Sequence, residues 1–182
     1  MSKKNNARTI TVKILLRLLK QKGSLASELH LLNDIDEKEK RFAQELCYGV
    51  CRWYFLLEDT LNTFIAKPIK EKDSDIKLLL LLGIYQLQFT RVAPHAAINE
   101  TVNATLFFRK QWAKKLVNGV LRSFQRQQDA EPITCSPKQS HPQWLQQAIL
   151  QAWPKQAKDI FFANNQHPPF TLRIHAQHST AD

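Results

Sequence analysis

The sequence predicts an all-α helical bundle, and three observations carry that prediction. Apolar residues recur at steps of three and four along almost the whole chain of 182 residues, which is the period of one helix face. Gly23, Pro68 and Pro94 fall where periodic stretches stop or start. The single strand-like stretch, Phe170–Ile174, has no partner strand, and one isolated strand cannot satisfy its backbone groups.

The elements follow in order. Residues 7–22 repeat Ile10, Ile14, Leu15, Leu18 and Leu19, with Gly23 placed to end the helix. A short helix is expected around Leu25–Leu32. A long pattern follows through Phe42, Leu46, Val50, Trp53, Leu57, Leu61 and Phe64, closed by Pro68. Asp73 or Ser74 can cap the next helix, which runs through Leu78–Leu82, Ile84, Tyr85 and Leu87. It is apolar on most faces, the pattern of a buried central helix. Pro94 opens a fifth helix through Ala97, Ile98, Val102, Leu106 and Phe107, and a sixth spans about Trp112–Gln127. The stretch 129–141, broken by Pro132 and Pro137, reads as a linker. Two short helices, Gln143–Trp153 and Lys155–Asn164, and the lone strand complete the chain. The organisation expected is therefore a domain over 1–128, a linker over 129–141 and a connector over 142–182.

Composition narrows the function. Apolar residues make up 43% and charged residues 23%, a globular balance and not that of a disordered chain. The four glycines stand singly, so no Gly-rich phosphate loop exists. The apolar run Leu78–Leu82 is far below the ~20 residues that span a bilayer. Lys13 and Arg17 interrupt any signal-peptide core. Three cysteines give no disulfide framework, so a reducing, cytoplasmic location is expected.

Charge is the most informative property. The net charge of +10 comes wholly from two acid-free segments: residues 1–22 with seven Lys/Arg, and residues 101–128 with six. The rest of the chain is slightly acidic. Segregated cations of this kind are what a polyanion-binding face requires, because each Lys or Arg set against a phosphate releases condensed counterions. The candidate RNA contacts are Arg8, Lys13, Arg17 and Lys20 on the first helix, and Lys114, Lys115, Arg122 and Arg126 on the sixth. Arg52 is a weaker candidate because Glu45 can pair with it. The two basic helices are expected to lie side by side as one cationic groove.

Other constellations read as structural. Cys47 and Cys51 share a helix face but lack the second ligand pair that zinc needs, so burial is expected. No metal ligand set is expected among the scattered histidines, and His95 reads as a helix-end residue. Cys135 has no partner base to make it a nucleophile. Asn99, Glu100, Asn103 and Asn118 read as buried hydrogen-bonding residues that fix helix register, with contact to a ligand as the alternative. Phe107, Phe108, Trp112 and Phe124 read as core at helical spacing, although aromatics beside cations can also stack on unpaired bases.

Several stretches together carry a family resemblance. Lys40–Trp53 (KRFAQELCYGVCRW) resembles the signature of NusB-like domains, and Leu81–Leu87 (LLGIYQL), Val92–Val102 (VAPHAAINETV) and Leu116–Arg122 (LVNGVLR) follow in that family's order. His141–Leu145 (HPQWL) and Asn164–Ile174 (NNQHPPFTLRI) resemble one branch, the RsmB (Sun, Fmu) family of small-subunit ribosomal RNA cytosine-C5 methyltransferases. The resemblance implies a NusB-like RNA-binding bundle ahead of a catalytic half that binds S-adenosylmethionine and carries two cysteines. None of those catalytic motifs occurs here, so no catalytic or cofactor residue is carried over. His175 stands where the family usually has asparagine. The expectation is a fragment or a separate domain that binds ribosomal RNA and meets its own methyltransferase domain, with no cofactor, metal or membrane contact in this chain. The alternatives are a free-standing NusB-type transcription antitermination factor and a helical module that docks an acidic protein.

Overall fold

Asn6 starts the first helix. Its side-chain oxygen accepts from the Thr9 N–H at 3.0 Å, and the Thr9 hydroxyl oxygen accepts from the Asn6 N–H at 3.0 Å, a reciprocal cap that satisfies two otherwise orphaned donors. The computed structural model describes residues 6–166 and Thr171. These form α1 (Ala7–Leu19), α2 (Leu25–Glu28), α3 (Glu37–Phe64), α4 (Ser74–Phe89), α5 (Pro94–Phe107), α6 (Ala113–Ala130), α7 (Gln143–Ala152) and α8 (Ala157–Asn165). Short 3-10 turns lie at Leu29–Asp34, Glu71–Asp73 and Pro137–Ser140. The architecture is all-α, and the described residues contain no strand. The strand expected over Phe170–Ile174 lies outside them apart from Thr171, which belongs to no regular element.

Helix α4 is the centre, as its composition predicts: Ile76, Leu78–Leu82, Ile84, Tyr85 and Gln86 are all buried. A helix apolar all round accepts neighbours all round, and α1, α3, α5 and α6 each pack against it. Two glycines set its distances. A Cβ on Gly49 of α3 would sit 2.0 Å from the Tyr85 ring, and one on Gly83 would sit 2.6 Å from the Leu121 methyls of α6. Gln86, the one fully buried amide on α4, donates to Leu82 O at 3.1 Å and Thr101 Oγ1 at 3.2 Å, tying α4 to α5.

Three expectations are corrected. Helix α1 ends at Leu19, and Gln21 rather than Gly23 takes the left-handed stop position, with φ 54°. The Gln21 and Lys22 N–H groups then donate to Leu18 O and Arg17 O, each at 2.9 Å, which satisfies carbonyls the helix leaves free. The 129–141 stretch is not a loose linker. Helix α6 runs on to Ala130, Ile133 packs on the core, and the Gln88 amide donates to Ile133 O and Cys135 Sγ, both at 2.9 Å. The Pro137–Ser140 turn then packs on α3. Proline content predicted the break in helix, but one apolar side chain and one amide from α4 hold the chain down.

The third correction concerns the basic helices. Helices α1 and α6 both pack on α4 and α5, and they are not a packed pair. They flank α5, because the all-apolar α4 spreads its neighbours around itself.

Candidate nucleic-acid interface

The nine candidate cations separate by environment. Arg8 is 93% buried, with only 7% of its surface exposed, which removes it from any phosphate-contacting face. Its guanidinium lies 5.4 Å from the centre of the Phe42 ring. Burial lowers its pKa, and Glu100 and Glu39 oppose that shift. It is an internal cation joining α1, α3 and α5. Expected as a phosphate contact, Arg8 instead shares the buried side of α1 with Thr11, Val12 and Leu15, its neighbours three, four and seven residues on.

Arg17 is paired. Its Nε donates to Glu28 Oε2, and its terminal nitrogen lies 3.4 Å from Glu28 Oε1. Glu28 is buried, whereas the Arg17 side chain is half exposed. Lys13 is half-buried, with its ammonium 4.8 Å from the centre of the Phe107 ring, a cation–π contact between α1 and the end of α5. Lys20 is exposed. On α3, Arg52 is also exposed. It lies near Tyr85, whose phenol pKa is raised chiefly by burial and by Glu45, with Arg52 acting the other way.

On α6, Lys114, Lys115, Arg122 and Arg126 are all exposed. Lys115, Arg122 and Arg126 form one stripe, spaced seven and then four residues apart. Arg126 donates to Ser123 Oγ at 3.0 Å within that surface.

Although α1 and α6 do not pack together, their basic ends converge. The last turns of α1 border a groove lined by Leu16, Leu19, Lys20, Tyr54, Lys72 and Ser74. The same Glu71–Ser74 region receives Lys110, from the connector between α5 and α6. Its ammonium donates to Lys72 O at 2.9 Å, Asp73 at 2.9 Å and Asp75 at 2.6 Å. Burial lowers the Lys110 pKa, but the bonds to Asp75 and Asp73 outweigh it and the net shift is upward. Lys110 thus neutralises the two carboxylates nearest the connector. Exposed at this end are the cations Lys20, Lys22, Lys72, Arg109, Lys114 and Lys115, together with one acid, Glu71, which lines the same groove. Arg122 and Arg126 lie about 12 and 18 Å further along α6 than Lys114, at 1.5 Å per residue.

Sequence reasoning missed Arg109 and Lys72. Arg109 has φ 56° and ends α5 where glycine is the usual choice. Its position after a helix that stops at Phe107 was the available signal. Lys72 sits in a mixed-charge stretch and carried no signal in the sequence.

The remaining groups sort as follows. Cys47 is fully buried, whereas Cys51, one turn further along α3, is exposed, against expectation. Burial pushes the Cys47 thiol up to about 12, partly opposed by its hydrogen bond to Thr11. Asn99, Glu100 and Asn103 are exposed rather than buried, and Asn118 is half-buried. Of the four aromatics read as core, Phe124 is fully buried, Phe107 and Phe108 are half-buried, and Trp112 is 57% exposed. Among the described residues no cluster of His, Cys, Asp and Glu could hold a metal ion. No described helix is long and apolar enough to cross a membrane.

A bundle of helices packed around one apolar core helix defines the class. The NusB family pattern matches residues 5–126, two thirds of the chain, and the chain belongs to that family. A second pattern, the ferredoxin-like domain of RsmF/B-like methyltransferases, matches residues 141–182. The chain is 38% identical to the ribosomal RNA small subunit methyltransferase B of Klebsiella pneumoniae (strain 342), across 100% of this chain and 43% of that protein. It is 42% identical to the protein of the same name from Sodalis glossinidius, across 97% of this chain and 42% of the relative. The Pseudomonas putida protein of that name is 38% identical over the same shares. The chain therefore spans less than half the length of these curated relatives.

Proposed function

We propose that this chain is the RNA-binding N-terminal module of a cytoplasmic ribosomal RNA small-subunit methyltransferase, holding ribosomal RNA for a cytosine-C5 methyl transfer performed by other parts of the longer protein. The observation that carries the reading is the meeting of α1 and the α5–α6 connector at one end where cations outnumber acids: Lys110 pairs with Asp73 and Asp75, which leaves Glu71 as the exposed acid of the groove. Lys13, Lys20, Lys114 and Lys115 are the proposed phosphate contacts, with Arg17 contributing the half of its surface that Glu28 leaves open. Arg122 and Arg126 extend the track along α6. Arg52 lies apart from it, near Tyr85. Phosphate contacts of this kind supply affinity and register, not sequence readout.

The second family match, over 141–182, and the names of the relatives support this reading over a stand-alone antitermination factor. S-adenosylmethionine, the methyl donor the family resemblance implies, does not fit the residues described here. Gly49 and Gly83 face protein side chains at contact distance and Gly119 stands alone, so no glycine cradle exists, and no chemical step is assigned to these residues.

The test is a salt titration of binding to small-subunit ribosomal RNA fragments. Each phosphate contact contributes about 0.7–0.9 to the log–log slope. The double variant Lys114→Ala/Lys115→Ala should lower that slope by roughly 1.4–1.8 with an unchanged circular dichroism spectrum. A wild-type affinity independent of salt would overturn the reading. Lys13 and Arg17 are the poorer pair to replace, because losing Arg17 strands the buried Glu28 carboxylate.

A further inference from the structure

Trp112 stands out among the exposed large apolar side chains. Trp144, Leu150, Trp153 and Phe162 belong to α7, α8 and the segment between them, where Leu150 and Phe162 line a groove of about 430 Å³ with Pro154 and Phe161. Such a neighbourhood suits another apolar surface. Trp112 instead sits singly at the start of α6, 57% exposed, with Arg109 three residues before it and Lys114 and Lys115 just after. All three cations are exposed.

The connector that carries it is fixed in place. Lys110 is tied to the start of α4 by three bonds. The Lys110 N–H donates to Thr105 O at 3.1 Å and the Arg109 N–H to Leu106 O at 3.2 Å, closing the end of α5 around the left-handed Arg109. A non-glycine residue held there is strained, and this exposed arginine stands three residues before the indole. Phe107 and Phe108, at the end of α5, pack edge to face with centroids 5.3 Å apart, and Phe107 carries the Lys13 ammonium.

From this geometry we propose that Trp112 is a stacking platform for an unpaired RNA base, with Arg109, Lys114 and Lys115 holding the flanking phosphates. The proposal rests on the RNA-binding reading above and adds that the bound RNA is single-stranded at this point. A flat exposed ring needs the face of a base, and an A-form duplex offers none, because its bases are stacked and its major groove is too narrow to admit the ring. Cations beside an aromatic platform are the arrangement by which strand-tracking proteins combine backbone attraction with stacking. A rigid connector lowers the ordering cost of binding.

The experiment uses the full chain and two probes, a single-stranded RNA of about 10 nucleotides and a duplex of the same length, within the ~4–16-nucleotide site sizes known for such platforms. Trp112→Ala should weaken binding of the single strand about 5- to 150-fold. It should leave the duplex affinity and the salt slope unchanged, since no charge is removed. Trp112→Phe should recover most of the loss and guards against a folding defect in the alanine variant. Lys114→Ala/Lys115→Ala should lower the slope for both probes. Equal losses on single strand and duplex, or no loss on either, would overturn the stacking role while leaving the RNA-binding reading intact. Failure of the wild type to bind either RNA would instead end both.

Discussion

At the scale of single residues, close approach is the strictest requirement. Gly49 lies against the Tyr85 ring and Gly83 against the Leu121 methyls, whereas nothing stands within 4 Å of a Cβ built on Gly119. The three positions should therefore respond differently to one substitution. Gly49→Ala should destabilise by about 1–3 kcal/mol, because an aromatic ring packed between helices cannot move aside cheaply. Gly83→Ala should cost less, since the contacts are the ends of a flexible leucine. Gly119→Ala should stabilise by roughly 0.5–1 kcal/mol through helix propensity alone. Urea unfolding of the three variants checks the order, and a stable Gly49→Ala protein would show that α3 and α4 have freedom to separate.

At the scale of elements, the contrast is between helices held by burial and helices held by polar contacts. Helices α1 and α3–α6 share one large apolar cluster, whereas α7 and α8 bury only Ile149, Ala157 and Phe161 between them. The smaller unit depends on a hydrogen-bonded node. The Asn165 amide donates to Ser140 Oγ at 2.7 Å, Pro137 O at 3.1 Å and Phe161 O at 3.2 Å. His141 Nδ1 lies 2.9 Å from Pro137 O, and Asn164 Nδ2 lies 3.1 Å from His141 Nε2. A carbonyl can only accept and an amide nitrogen can only donate, so these contacts require the proton on Nδ1. Asn165→Ala removes three hydrogen bonds from this node at once and should cost about 1–3 kcal/mol. The loss should appear in native-state hydrogen exchange as faster opening of 137–165 with protection of α4 unchanged. Equal loosening of α4 would mean the two units unfold together.

At the scale of the whole molecule, Cys47, Tyr85 and Lys77 are shifted in one direction, opposite to Arg8, which burial lowers. Cys47 is pushed up to about 12 by burial, from an ordinary value of 9.0. The Tyr85 phenol is raised, mainly by burial. Lys77, although burial works against it, is raised by its bond to Glu58 and contact with Tyr54. Each of these three groups keeps its proton longer folded than unfolded. Between about pH 9 and 12 the unfolded chain therefore binds fewer protons, and linkage makes stability fall as pH rises. Below pH 9 these groups contribute no slope. The prediction is a stability plateau on the neutral side and a decline starting near pH 9, made shallower by Cys47→Ala. Denaturant midpoints measured from pH 7 to 11 check it, and a decline of the same steepness in the variant would remove Cys47 as a cause.

The helices, their order, the central place of α4 and the family likeness were all legible in the sequence. These depend on local periodicity, capping and side-chain volume, which neighbouring residues determine together. The charge surplus was equally legible as a composition, but its three-dimensional meaning was not. Glu28 reaches Arg17, and Asp73 and Asp75 reach Lys110, from segments 11 to 37 residues away, so acid-free stretches of chain are not acid-free surfaces. Nor does spacing reveal that α5 separates α1 from α6 while their basic ends still meet, or that Trp112 faces water while Phe124 does not. Periodicity assigns a residue to a face of its own helix. Only packing decides what, if anything, that face is set against.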